Sequence, residues 1–159
     1  MKLLALDQSS KITGYAIFEN NKLIKYGKLS YDDSDLGTRL VKLRSDLKDL
    51  IEQTQIDEVI MEDIQYQPNV GIDTFKVLAE TFGVVYELLT EMRIPNSSVW
   101  STSWKSVLGI KGKTRPEQKR NAQNYIVTHY GVKPTQDECD AICIGLYKLN
   151  KKPDFDWSE

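Results

Sequence analysis

Apolar residues recur along this chain with two different periods. Lys2 to Leu6 is an apolar run of strand length, and Gly14 to Phe18 followed by Leu23 to Leu29 predicts two further strands, joined as a hairpin around Asn20 and Asn21. From Leu36 to Gln53 the spacing changes to three and four: Leu36, Leu40, Leu43, Leu47, Leu50 and Ile51 mark one face of a helix whose outer face is charged. Val59, Ile60 and Met61 form a compact buried strand that stops at Glu62 and Asp63. A long helix follows from Ile72 to Met92. Its apolar residues, among them Phe75, Leu78, Phe82, Val85, Leu88 and Leu89, cannot all face one sheet, so it is either a central helix or one whose second face meets another subunit. Pro95 to Trp100 gives a last strand and Ser101 to Leu108 a brief helix. Two capping boxes, Thr114 with Glu117 and Thr135 with Glu138, open two more helices, and Gly131 is placed to end the first of them. Three early strands, then helices alternating with two later strands, predict an α/β fold whose sheet has antiparallel and parallel parts. The strand order is not visible in periodicity.

Composition adds limits. With 159 residues, 40% hydrophobic and 28% charged, the chain is expected to form one soluble domain over residues 1–150, with a polar tail over 151–159. Cys139 and Cys143 lie four apart, on one helix face, and read as reduced core residues of a cytoplasmic protein. No run approaches a membrane span, and the start MKLLALDQ has neither a long apolar segment nor a cleavage site.

The net charge of -2 conceals an asymmetry. Lys105, Lys111, Lys113, Arg115, Lys119 and Arg120 stand against the single acid Glu117, a local +5 that leaves -7 on the remainder. Such a segment suits a polyanion, although a solvated lysine-rich helix and loop would read the same way.

The candidate chemistry lies in carboxylates. Asp7 and Glu62 each terminate an apolar strand, at the end where ligands of open α/β sheets collect. Either acid alone could be a capped turn residue. Asp137 and Asp140 share one face of a helix's first turns, where acids also serve simply as caps; Asp140, however, is followed by Ala141, Ile142, Cys143 and Ile144 and so borders an apolar face. Four carboxylates without histidine or cysteine support suit Mg2+ or Mn2+ far better than zinc. His129, the one histidine, has no partner nearby in sequence and reads as a surface residue at a helix end. Neither a GxxxxGK[ST] nor a GxGxxG run is present. What remains is two-metal phosphoryl transfer.

Three stretches together resemble a known family. LLALDQSSKITGYAIF, with Asp7 and Gly14, is similar to the opening motif of RuvC-type Holliday junction resolvases; IDEVIMEDIQ resembles their strand ending in a catalytic Glu; DECDAICIGL resembles their final helix with its Asp-x-x-Asp pair. Order and spacing agree to about Tyr147, and phage-encoded members look especially similar. The resemblance implies an RNase H-like fold, a five-stranded mixed sheet flanked by helices, assembled as a homodimer with residues 72–92 as a candidate contact. It implies that Asp7, Glu62, Asp137 and Asp140 hold two Mg2+ ions, which Mn2+ could replace. The expected activity is paired, symmetric nicking of a four-way DNA junction, leaving 5'-phosphate and 3'-hydroxyl ends. Lys105 and Lys119 resemble lysines that family members present to scissile or adjacent phosphates, and Lys111, Lys113, Arg115 and Arg120 would add further phosphate contacts. Cellular members carry an aromatic residue three positions after the catalytic Glu; here Gln65 stands there, with Tyr66 beside it as the substitute for base stacking. Asp63 reads as an outward-facing turn residue, and Trp100 and Trp104 as core aromatics. The rival readings are an RNase H-like nuclease for RNA, forks or flaps, an actin-like nucleotide-binding module, and a non-catalytic junction-binding scaffold. Helicase partners stay undetermined.

Overall fold

The computed structural model describes residues 1–150, so the polar tail over 151–159 lies outside the described residues. The described elements run β1 (Lys2–Asp7), β2 (Ile12–Glu19), β3 (Lys22–Ser30), α1 (Leu36–Thr54), β4 (Glu58–Glu62), α2 (Ile72–Glu91), β5 (Asn96–Val99), α3 (Ser101–Val107), α4 (Arg115–Tyr130) and α5 (Gln136–Asn150). Every predicted element exists, with ends shifted by a residue or two. The strands form one sheet in the order β3-β2-β1-β4-β5. β1 pairs antiparallel with β2 and parallel with β4, β2 pairs antiparallel with β3, and β4 pairs parallel with β5, which makes the sheet mixed.

The hairpin between β2 and β3 turns through Asn20 and Asn21, both at positive φ, which is what a two-residue loop matched to strand twist requires. Helix α1 starts at Asp35, whose carboxylate accepts from the Thr38 N–H at 2.8 Å. Thr114 caps α4 through the Glu117 N–H, and Gly131 ends it in the left-handed conformation. At the start of α5 the second box closes reciprocally: the Glu138 carboxylate accepts from the Thr135 N–H at 2.9 Å, while Thr135 Oγ1 accepts from the Glu138 N–H at 3.4 Å.

Strand alternation divides the core into two layers. Leu4, Leu6, Tyr15, Ile17, Val59 and Met61 pack with α1 and α2, whereas Leu3, Ala5, Ala16, Phe18 and Ile60 pack with α3, α4 and α5. Helix α5 lies closest to the sheet. A Cβ on Gly145 would stand 2.2 Å from the Phe18 ring, so only glycine lets the helix pass at this height. Cys139 and Cys143 are free and buried in this layer, as expected, and burial pushes the Cys139 thiol up to about 12.

Three expectations change. Trp104 is a core residue, but Trp100 is half exposed, because it follows the edge strand β5 and nothing in the described chain packs outside it. Helix α2 is not central: Thr81, Val85, Leu88 and Leu89 are buried, while Ile72 and Tyr86 stay open to solvent. Arg39, on the supposedly charged outer face of α1, is buried, its guanidinium donating to Ser10 Oγ and to the carbonyls of Asp33 and Ser34. Among the described residues the sheet's open edges are β3, which carries Lys22, Lys25 and Lys28, and β5, which is only four residues long.

Candidate active site

Register fixes the first two acids. Asp7 continues the Leu3 and Ala5 side of β1, and Glu62 continues the Ile60 side of β4, so both point to the face covered by α5 from the carboxyl ends of neighbouring parallel strands. Asp7 stands opposite Gly14 of β2, and a Cβ on Gly14 would lie 2.0 Å from the Asp137 carbonyl oxygen. That missing side chain lets the first turn of α5 descend onto the strand ends. Asp137 and Asp140 therefore arrive beside Asp7 and Glu62, although they are far away in sequence.

The four acids act on one another electrostatically. Burial, then the charges of Glu62, Asp140 and Asp137, hold the Asp7 carboxyl well above its ordinary range. Burial and the Asp140 charge push Glu62 up to about 7, against the opposing pull of Lys105 and of hydrogen bonding to Asp7 and Trp104. Asp140 is raised by burial to about 6, with Lys105, Lys119 and Arg115 pulling down and Asp137 pushing up. Asp7 and Glu62 keep some exposed surface, but protein atoms crowd their carboxyls, and it is the crowding that matters for charge.

Of the predicted basic residues, Lys105, Lys119 and Arg115 come within electrostatic range of Asp140. Lys105 Nζ donates to Gln118 Oε1 at 3.2 Å and lies 5.3 Å from the centre of the Trp104 ring. Lys111, Lys113 and Arg120 are exposed further along the same segment. Tyr66 is exposed but not loose, its ring meeting Phe75 edge-on at 5.4 Å. Asp63 turns away from the acids, accepting from the Ile64 N–H at 2.8 Å and from Ser98 Oγ at 3.2 Å. With Ser98, Val99, Trp100, Ser103 and Tyr147 it lines a cavity of about 210 Å³. His129 is exposed at the end of α4, stacked on Tyr125.

No family model matches the chain. It is 28% identical over 151 residues to the crossover junction endodeoxyribonuclease RuvC of Campylobacter lari, covering 92% of this chain and 94% of that one. It is 27% identical to the RuvC of Helicobacter hepaticus, covering 81% and 82%. The chain is a homologue of RuvC at modest identity. The fold agrees: Thermus thermophilus RuvC, solved in complex with a Holliday junction substrate, superimposes with a TM-score of 0.75 at 13% identity over 94% of this chain and 93% of that one. Fowlpox virus resolvase, solved with Holliday junction DNA, gives 0.62 at 16% identity over 96% and 100%.

RuvC enzymes are metal-dependent nucleases, so the donor set has to suit a cation. Four oxygen-donor carboxyls, three of which (Asp7, Glu62 and Asp140) are raised in pKa by burial and neighbouring negative charge despite nearby cations, are a cluster whose charge calls for a hard divalent ion. Among the described residues no three His, Cys, Asp or Glu side chains stand together at ligating geometry, so the fit lies in donor chemistry and charge. Two neighbours of the site went unread in the sequence, Gln8 and the indole N–H of Trp104. A glutamine after a strand and a tryptophan in a short helix carry no pattern that announces them.

Proposed function

We propose that this protein is a metal-dependent, structure-selective DNA endonuclease that resolves Holliday junctions by paired symmetric nicks, leaving 5'-phosphate and 3'-hydroxyl ends. The observation that carries the reading is the convergence of Asp7, Glu62, Asp137 and Asp140, from three separate stretches of the chain, beside Lys105 and Lys119. Bound divalent cations, two Mg2+ per site with Mn2+ able to substitute, supply activation of the attacking water and stabilisation of the leaving oxygen. Asp7, Glu62, Asp137 and Asp140 hold them. Lys105 and Lys119 lie where they can draw the scissile and adjacent phosphates toward the acids, and Gln118 steadies the Lys105 ammonium. Arg115, with the exposed Lys111, Lys113 and Arg120, extends a track for phosphates along one arm, binding by charge and not by sequence. Tyr66, fixed by Phe75, offers a ring face to an unpaired base. A homodimer joined through α2, whose Ile72 and Tyr86 are exposed, would set two such sites for cuts in opposite strands.

The test is cleavage of a synthetic immobile four-way junction in Mg2+, beside Asp7→Asn and a linear duplex. Symmetric, religatable nicks from wild type only are expected, with Asp7→Asn losing on the order of a thousandfold in rate while still binding. Binding without cleavage in either Mg2+ or Mn2+ would leave a scaffold. Preference for forks, flaps or RNA would move the substrate class.

A further inference from the structure

Asp63 and Trp100 take no part in the chemistry proposed above, yet they stand next to it. Asp63 follows Glu62 where β4 ends, and Trp100 follows Val99 where the parallel neighbour β5 ends. Val99 is the strand partner of Glu62, and its carbonyl accepts from the Asp63 N–H at 2.8 Å, so the strand ends that fix Glu62 also fix Asp63 and Trp100. Both residues line the cavity of about 210 Å³ that Ser98, Ser103 and Tyr147 help to close. The carboxyl ends of parallel strands are where α/β sheets take ligands.

The lining has the chemistry of a base site. Trp100 is half exposed and offers an aromatic surface on which any base can stack. Asp63 supplies discrimination. Its carboxylate is held by the Ile64 N–H at 2.8 Å and by Ser98 Oγ at 3.2 Å, and a carboxylate with about four lone-pair sites can accept again after two bonds. An acid repels phosphate, so what it can take from DNA is a hydrogen-bond donor, and the donors of a base are its ring N–H and exocyclic amino groups. Guanine, adenine and cytosine carry an amino group, whereas thymine presents two carbonyls around one N–H. The hydroxyls of Ser103 and Tyr147 can donate or accept as the base requires. We propose that this cavity holds an unpaired base beside the scissile phosphate, stacked on Trp100 and held by Asp63 through its amino group, so that cleavage disfavours thymine at one position next to the cut. The proposal rests on the reading of Glu62 as part of a junction nuclease.

Two measurements test it. In Asp7→Asn with Mg2+, an immobile four-way junction should quench part of the tryptophan fluorescence, and Trp100→Phe in the same background should remove that part. A quench that Trp100→Phe leaves unchanged overturns the stacking and with it the proposal. In cleavage by wild type, junctions differing only in the bases that flank the cut should show about a tenfold or greater preference for an amino-bearing base over thymine at one position. Hypoxanthine in place of guanine, which removes only the amino group, should lower the rate in the same direction. Asp63→Asn keeps the shape and presents an amide N–H, so it should narrow the preference to about twofold or turn it toward thymine. A wild type indifferent to the base, or a preference that Asp63→Asn leaves intact, overturns the proposal. If wild type leaves junctions intact while the Trp100 quench still follows the amino groups at the junction centre, the nuclease reading fails and the base site stands; a quench blind to them overturns the base site as well.

Discussion

The two faces of the sheet are made from the same strands and do different work. Under α1 and α2, Leu4, Leu6, Val59 and Met61 meet Leu43, Leu47, Val85 and Leu88 in a mostly apolar layer, where Gln8 is buried after the last strand residues. Under α3, α4 and α5, Leu3, Ala5 and Ile60 lead instead to Asp7 and Glu62, where acids repel one another and carry displaced pKa values. One residue of register separates a position in an apolar layer from a position in the acidic cluster. The lesson is that the apolar layer can hold the strands rigidly enough for the other layer to tolerate an electrostatically unfavourable cluster.

The sharpest way to break this contrast is at Gly14. Gly14→Val places side-chain atoms where the Asp137 main chain lies, which must lift α5 from the strand ends. Cleavage is expected to fall about a hundredfold or more, as displacement near 1 Å can do, with a melting temperature several degrees lower. Leu47→Ala tests the opposite face: Leu47 is fully buried, and its truncation should cost about 2–5 kcal/mol by urea titration while the folded fraction cuts junctions at the wild-type rate. A matching loss of rate would mean that the two layers are not separable.

The third test concerns pH. Glu62 is raised from 4.5 to about 7 in the folded protein, so the folded state keeps its proton longer than the unfolded state does. Stability of the cation-free protein must therefore fall as pH rises from 4.5 through 7. Glu62→Gln removes this penalty: without cations it should be more stable than wild type at pH 8, by on the order of 2 kcal/mol, and little different near pH 4.5, although inactive throughout. Added Mg2+ should restore wild type at pH 8 and leave the variant unmoved. Thermal melts in chelator and in Mg2+ decide it.

Much of this was legible in the chain. Asp7 and Glu62 were visible because an apolar run that stops at an acid is a local pattern, and Asp137 and Asp140 because a capping box fixes the helix that carries them. The mixed sheet followed from the order of elements, while the β3-β2-β1-β4-β5 order did not, since pairing joins residues that periodicity cannot link. Trp100 was misread for the same reason: whether an aromatic is covered depends on what packs beyond an edge strand. Arg39 was missed because its burial depends on acceptors, Ser10 Oγ and the carbonyls of Asp33 and Ser34, that helical periodicity does not reveal. The resemblance to RuvC gained support from curated relatives and shared fold, whereas the roles of the individual side chains await the junction assay.

The unpaired margins of the sheet bear on how the molecule behaves in a crowd of its own copies. An open β-strand is a template for further strands, and chains that expose one tend toward cross-β stacking. Here one margin is studded with Lys22, Lys25 and Lys28, so an approaching copy meets like charge along the strand. The other offers only Asn96 to Val99, too short and too polar to nucleate an extended ladder. Both margins thus discourage fibril growth by different means, one by repulsion and the other by brevity.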